Sequence, residues 1–518
     1  RGRRGVCQVA SGSSPSPTLP DAPPPDPARL GAEAGPARRV TFGQALAPIL
    51  FLLGLVVYGL ILRPQVFGQA ALPLEVVFVL AATFAIGELM ALGHGWAEIQ
   101  EAVVQKLTRA LPAFFIFFAI GMIIGSWMVA GTIPMLVYYG LTLLHPSVLY
   151  LAAFLIPVVF STLTGTSWGS AGTVGVVILG IAGAMGANLG IAAGAVIGGA
   201  YFGDKLSPLS DTTNIAALAA DVTVYEHIQS MLVTTVPSAL VACTAYAVLG
   251  VVVPPTMTTA GADSLVPFLD ALDAVFSFHV LLVLPPLIVL VGSIRRMPTV
   301  PVLVVSTLVA CALALIVQPF TLGDVAQSVA RGFDVSMAPW ATGLPENVTT
   351  LLNRGGLFAL IDAVVIALLV FVFIGAMDHV GALDTVVSRA VRFARTRRAA
   401  ILATLAAAGV TNALTSNQYA TSFIVADAFK ARYDRLGIPR KVLSRSLEDY
   451  GTMIETVVPW TPSAVFMIAT LGVPYAAYAP WQLLTLVNLV VAPTLAVLGV
   501  GCFYTSAEAP SASDASAP

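Results

Sequence analysis

The sequence predicts an all-α polytopic membrane protein with about 10–12 transmembrane segments in two related halves, some of them broken helices. Three observations carry that prediction. Only 10% of the 518 residues are Asp, Glu, Lys or Arg, while 57% are hydrophobic; an ordinary soluble domain carries about 25% charged residues. Apolar stretches of membrane-spanning length recur from Ala45 to Phe503, without the alternation of a transmembrane barrel. Oxygen-rich stretches interrupt the apolar pattern, in the same order, in both halves.

Residues 1–40 are rich in Pro, Ser, Ala and Arg and include "SPSPTLPDAPPPDP". Such a composition buries no core and reads as a disordered tail. It lacks the apolar stretch of a signal peptide, and it begins with Arg rather than Met, which leaves the true N-terminus open. Clear spans follow near 45–63, 71–92, 111–130, 147–163, 229–253, 278–293, 299–319, 356–376 and 481–503. His94–Ala110 and Thr321–Met337 mix apolar and charged residues at helical spacing. Each reads either as a helix lying flat on the membrane or as a polar loop against another subunit. The expected division is a first repeat over 41–254, a linker with connecting helices over 255–320 and a second repeat over 321–504. Residues 505–518 form a second disordered tail.

Basic residues cluster at Arg1–Arg39, Arg295–Arg296, Arg389–Arg398 and Lys430–Arg445. Short basic loops stay cytoplasmic, so these regions and the N-terminus are placed on that side of the cell membrane. The four cysteines and five histidines are scattered, with no CxxC or HExxH spacing. No transition-metal site, cofactor or metal-enzyme chemistry is expected, and nothing points to nucleic acid. The expected partners are membrane lipid and small transported species.

The short apolar pieces matter most. Leu189–Gly203 is apolar for only about 22 Å of helix, against a hydrocarbon core of about 30 Å, and then comes "DKLSPLSDTTN". Irregular backbone at membrane depth is tolerated only where protein or a water-filled cavity covers it. Ala171–Met185 is similarly short and follows "STLTGTSWGS". The second half carries "TNALTSNQYATS" (Thr411–Ser422) and then "LEDYGTMIETVVPWTPS" (Leu447–Ser463). Thr164 aligns with Thr415 at an offset of 251, and at that offset Trp168 meets Tyr419 and Ser170 meets Thr421. Matched broken segments in two halves are the sequence signature of a transporter's binding site.

These stretches offer oxygens suited to a small hard cation. The candidates are Asp204, Ser207, Ser210, Asp211, Thr212, Thr213 and Asn214 in the first acidic break, and Thr164, Thr166 and Ser167 in the hydroxyl-rich one. Their second-half equivalents are Asn412, Thr415, Ser416 and Asn417, with Glu448, Asp449 and Thr452. Sodium is the only metal this donor set suggests. Asp211, surrounded by hydroxyls and an amide, is the first choice as exchanging carboxylate; Asp204 is expected to be neutralised by adjacent Lys205, the charge partner. A carboxylate at membrane depth holds either a proton or a cation, which is the physical core of cation/proton exchange. Ser170 and Thr173 read better as helix packing. Glu88 and Asp362 lie in long apolar spans, where lining a proton path and pairing across helices are equally open. Asp378 and His379 read as solvated residues at a membrane exit.

"GAYFGDKLSPLSDTTN", "TGTSWGSAGTVGV", "LSRSLEDYGT" with "VPWT", and "GSWMVAGTIPMLVYYGL" resemble the signature segments of the NhaC-type sodium/proton antiporter family, part of the ion transporter superfamily. The likeness runs from about Val76 to Ala492. It implies inverted repeats with re-entrant hairpins, and a secondary antiporter exchanging sodium or lithium for protons, with a role in pH homeostasis. A homodimer is compatible with it. By the resemblance, Asp204, Ser207, Ser210 and Asp211 to Asn214 match the first motif; Thr166, Ser167 and Trp168 match the second; Glu448, Asp449, Gly451 and Thr452 match the third. Glu455 departs from the pattern, standing where a small hydroxyl residue is expected, as do the additional carboxylates Glu88 and Asp362. Similar proteins exchange malate and lactate, so coupled exchange of small organic acids is the alternative. An intramembrane aspartyl protease fails at the first glycine of its motif, where Tyr201 stands, and no ring of charges or carbonyls suggests a channel.

Overall fold

The computed structural model describes residues 41–256, 266–379 and 395–504. Both tails, the basic residues Arg389 and Arg392, Gly381 and part of the expected linker lie outside the described residues. All regular structure within the described residues is helical. Among the described residues nine helices are long and apolar enough to cross a membrane, or up to 11 if each of two sharply bent pairs forms one span.

The chain enters at α1 (Phe42–Val56), capped by Thr41 and extended by a π-helical turn over Val57–Leu62. Then come α2 (Leu74–Ala91) and α3 (Trp96–Val129). The sequence suggests a separate surface segment over 94–110. Instead it is continuous with the next span in one 34-residue helix, because nothing between Ala110 and Phe114 breaks it and Pro112 is accommodated internally. Lys106 on this helix is buried and pairs with Asp378 at 2.5 Å, so Asp378 is a pairing residue as well as one at a helix end.

Next are α4 (Thr132–Leu143), α5 (Leu149–Thr164), α6 (Ser167–Ala184, with a π-turn over Ala171–Gly175), α7 (Leu189–Leu206), α8 (Asp211–Ala219) and α9 (Val224–Val252). A connecting group follows: α10 (Val266–Val275), α11 (Leu284–Ile294), α12 (Thr299–Val317), α13 (Leu322–Arg331) and α14 (Glu346–Leu352). Residues 322–331 of the Thr321–Met337 stretch are helical and pack within the chain: Ser328 of α13 donates to Gly125 O of α3 at 2.9 Å. The last group is α15 (Ile361–His379), α16 (Arg397–Thr415), α17 (Gln418–Leu436), α18 (Arg440–Ile454), α19 (Pro462–Leu471), α20 (Tyr475–Tyr478) and α21 (Leu483–Leu498). Asp362 sits exposed in the first turn of α15, and Glu88 is half-buried in α2.

In two stretches the helix starts around the breaks match at an offset of 251. Helix α5 ends at Thr164 and α16 at Thr415; α6 begins at Ser167 and α17 at Gln418. Helices α7, α8 and α9 begin at Leu189, Asp211 and Val224, and α18, α19 and α20 begin at Arg440, Pro462 and Tyr475. Even the left-handed glycines after α6 and α17 coincide, Gly186 at φ 63° and Gly437 at φ 62°.

Candidate ion-binding site

Local chemistry creates the first break. Helix α5 stops because Gly165 adopts a left-handed conformation at φ 69°. Thr166 then caps α6 through its side chain. Helix α7 runs close against α5: a Cβ on Gly203 would lie 2.4 Å from Thr162 N. That approach brings the C-terminal end of α7 to the α5–α6 turn. Beyond Leu206 the chain leaves the helix for four residues, and Ser210 caps α8.

Asp204 lies at this junction and is only 6% exposed. Its Oδ2 accepts from the Ser167 hydroxyl at 2.7 Å and from Ser167 N at 3.3 Å. Its Oδ1 accepts from the Ser210 hydroxyl at 2.5 Å, and Ser210 Oγ lies 3.1 Å from Thr212 Oγ1. Thr213 donates to the carbonyls of Asp204 and Lys205 at 3.0 and 3.2 Å. Ser207 ties the loop to Thr162 O at 2.8 Å, and Asn214 reaches back to Ser210 O at 2.6 Å. Thr164 and Thr166 sit in the facing turn, Thr164 Oγ1 lying 3.4 Å from Ser170 Oγ and Thr166 Oγ1 accepting from Gly169 N.

Two expectations change. Asp211 is exposed at the first turn of α8, where its carboxylate accepts from Tyr419 at 3.3 Å; the helix start turns it away from the hydroxyls that follow it in sequence. Lys205 does not neutralise Asp204. Neighbouring residues on a helix point about 100° apart, and Lys205 instead pairs with Asp449 of α18 at 3.1 Å, both fully buried. Thr234 and Asn488 also donate to that carboxylate, and Arg445 Nε lies 3.9 Å from it. All three hydrogen bonds fall on Oδ1, and Oδ2 faces Arg445.

The second break repeats the first with other side chains. Ser416 is left-handed at φ 49° where Gly165 stands in the first half, and Asn417 caps α17 as Thr166 caps α6. Thr415 and Thr421 hydroxyls lie 3.1 Å apart, as their counterparts Thr164 and Ser170 pair. Helix α18 ends at Ile454, and Glu455, its C-cap, is the residue 251 places after Asp204. Its Oε1 accepts from Asn412 at 3.1 Å; its Oε2 accepts from Ser463 at 2.8 Å and from Tyr201 at 3.4 Å. Ser463 is the equivalent of Thr212, and Thr461, which caps α19, the equivalent of Ser210.

Glu448, seven residues before Glu455 on α18, is fully buried, with no hydrogen-bond partner on either carboxylate oxygen among the described residues. Thr452 Oγ1, Asn412 Oδ1 and Ser416 Oγ are likewise buried without partners. His227 of α9 places Nε2 3.8 Å from Glu448 and meets Ser444 through Nδ1 at 2.5 Å. A buried oxygen left unpaired costs about 1–3 kcal/mol, so this group of oxygens is suited to a ligand that supplies positive charge.

Residues 199–500 match the model of the Na+/H+ antiporter family. The chain is 38% identical over 464 residues to a Na+/H+ antiporter of Haemophilus influenzae, covering 90% of this chain and 97% of that protein. The chain belongs to the Na+/H+ antiporter family. It is 34% identical to the Na+/H+ antiporter NhaC of Alkalihalophilus pseudofirmus, over 83% of this chain and 90% of the relative. It is also 30% identical to the malate-2H+/Na+-lactate antiporter of Bacillus subtilis, over 88% and 96% respectively. The resemblance of the signature segments to this family holds, and the chain is a multi-pass membrane protein.

Sequence reasoning passed over Tyr201, Gln418, Ser463, His227 and the donors around Asp449. It treated Glu455 as a departure from the family pattern. The offset of 251, applied to Asp204 and Thr212, points directly at Glu455 and Ser463. His227 has no such signal, since its role comes from the packing of α9 on α18.

Proposed function

We propose that this chain is a secondary antiporter of the cell membrane, its N-terminus cytoplasmic, that exchanges sodium or lithium for protons by competition at Asp204. The observation that carries this reading is a carboxylate buried where a helix stops, with each oxygen held by a rotatable hydroxyl. Protonated, Asp204 keeps a proton in place of a cation. Ionised, it offers a full charge to Na+, while Ser167 and Ser210 turn their lone pairs inward and the Thr212 hydroxyl stands next in line. The proton and the cation therefore exclude one another at one pair of oxygens, which couples their movements. The correspondence of helix starts at an offset of 251 supports two repeats, related by inversion as in the family resemblance. Glu455 is the matching carboxylate of the second half, with Glu448 seven residues before it. The Lys205–Asp449 pair is a fixed internal charge pair, outside the exchange itself.

Everted membrane vesicles carrying the protein are expected to dissipate an imposed pH gradient on addition of Na+ or Li+, but not of K+. Dissipation that persists undiminished in Asp204→Asn excludes Asp204 as the exchanging group. Exchange of small carboxylates is the second reading, favoured by the likeness to the malate/lactate antiporter. Lys205 is no receptor for such an anion, because Asp449 already holds it. Counterflow of labelled malate or lactate distinguishes the two readings.

A further inference from the structure

A cavity of about 910 Å³ opens away from the ion-binding carboxylates, among α13, the 3-10 turn Val335–Met337, the Asn353–Leu360 segment, Ile124 of α3 and the C-terminal end of α19. Arg354, half-buried, lines it. One guanidinium N–H donates to Leu471 O at 3.3 Å, capping α19. The rest of its fork has no acceptor, and no carboxylate pairs with it, among the described residues. Thr470 lines the same cavity; it is 1% exposed and its hydroxyl has no hydrogen-bond partner. The Arg354 cation and the orphaned Thr470 hydroxyl thus lie in the wall of one open cavity.

The acids at the cavity do not answer this charge. Asp324 is occupied in capping α13, accepting from Thr321 N and Oγ1 at 2.9 and 2.7 Å. Asp334 is exposed and accepts from Ser336 N at 2.8 Å. Arg331, also exposed, lies 6.0 Å over the ring of Phe358 and adds a second positive charge to the lining. The backbone holds Arg354 in place: Phe333 N donates to Arg354 O at 3.2 Å, and Gly356 N to Gly121 O at 2.8 Å. Gly356 has φ 93°, and a Cβ there would lie 2.2 Å from Gly332 N, so this turn tolerates no side chain.

We propose that this cavity is a binding site for a small organic carboxylate, held by the Arg354 fork and the Thr470 hydroxyl. Guanidinium matches a planar carboxylate through two parallel hydrogen bonds, and the space exceeds what a halide fills. The site is separate from the Asp204 centre, so its failure leaves the Na+/H+ reading untouched, and the reverse holds as well.

The test uses the purified full chain in detergent, with thermal unfolding followed at constant Na+ and ionic strength against L-malate, L-lactate, acetate, chloride and phosphate. The carboxylates are expected to raise the unfolding temperature saturably, and chloride and phosphate are not. Arg354→Gln is expected to abolish the shift. Arg354→Lys should weaken the apparent affinity about tenfold through loss of the paired fork, and Thr470→Val several-fold. Elution profile and ligand-free unfolding temperature establish that each variant is folded; if Arg354→Gln does not fold, Arg354→Lys and Thr470→Val decide. A parent protein that does not respond to carboxylates, folded variants that respond as the parent does, or an equal response to chloride or phosphate overturns the proposal.

Discussion

The two helix breaks share one backbone plan but fill it differently. At the first, a short Asp is 6% exposed and is met by two serine hydroxyls. At the second, a longer Glu is half-buried and is met by an amide, a serine and a tyrosine from the other half. Hydroxyls are donors and acceptors alike and can turn to face a cation. The Asn412 amide that approaches Glu455 comes through its Nδ2, a donor only, and Nδ2 also donates to Gln418 at 2.8 Å. Asp204 likewise meets one donor-only group, Ser167 N, so each carboxylate has two hydroxyls and one N–H. The difference lies in side-chain length, in exposure and in the Tyr201 hydroxyl that reaches Glu455 from the other half.

The largest effect should separate these two carboxylates. Asp204→Asn is expected to lower Na+-dependent proton movement in vesicles by about a hundredfold or more, since a charged ligand at membrane depth has no substitute. Glu455→Gln, at a half-buried position that keeps the Ser463 and Tyr201 hydroxyls as partners, is expected to keep a measurable fraction of exchange. Equal loss in both would make the halves functionally equivalent. Next comes Lys205→Met, which leaves Asp449 buried beside only the more distant Arg445. Breaking a buried pair costs about 3–5 kcal/mol, so a marked fall in thermal stability is expected. Adding Asp449→Leu should restore much of it.

The turns themselves differ in a way that stability measurements can read. Gly165 is left-handed without penalty, and a Cβ there would lie 2.6 Å from Leu209 C. Ser416 adopts the same conformation with a side chain, at a cost of about 1–2 kcal/mol. Gly165→Ala is therefore expected to destabilise the protein by about 2 kcal/mol or more, while Ser416→Gly stabilises it by about 1 kcal/mol. The hydroxyl this strained residue carries is buried and without a hydrogen-bond partner among the described residues.

Much of this was legible in the chain. Membrane class follows from apolar runs, and the breaks follow from Pro208, Gly203 and short apolar lengths. Thr164, Thr166, Ser167, Ser210 and Asp204 come together at the first break, as residue type and spacing suggest. Rotation about a helix axis was not legible. Whether Asp204 or Asp211 faces inward depends on how α7 meets α5, which the small residues Gly199 and Gly203 decide through close approach. The pairing of Lys205 with Asp449 spans 244 positions, and no local pattern announces it. Hydrophobic lengths also failed to separate 94–110 from the span after it, since a mixed segment and an apolar one propagate the same backbone geometry.

The capping residues give a finer contrast. Ser210 and Thr461 occupy equivalent N-caps, and removing either side chain should cost about 1 kcal/mol. Ser210 has a second role, donating to Asp204 at 2.5 Å. Thr461 donates instead to backbone carbonyls, those of Glu455 and Val458. Ser210→Ala is thus expected to raise the Na+ concentration for half-maximal exchange several-fold, whereas Thr461→Ala lowers stability alone.

The smallest effect is expected at Asp211. Sequence places it amid hydroxyls and an amide, yet it is exposed at the start of α8 and keeps one hydrogen bond, from Tyr419. Removing its charge weakens a favourable helix-dipole interaction, about 0.3–1 kcal/mol at an exposed terminus. Asp211→Asn should therefore change the rate of Na+-dependent proton movement less than about twofold, with a small drop in unfolding temperature. Because Asp204 and Asp211 are seven residues apart in one motif, this pair isolates burial from motif membership. If Asp211→Asn abolished exchange while Asp204→Asn spared it, the inward face of the first break would have to be the other one, with α8 rather than α7 presenting the ion-binding carboxylate.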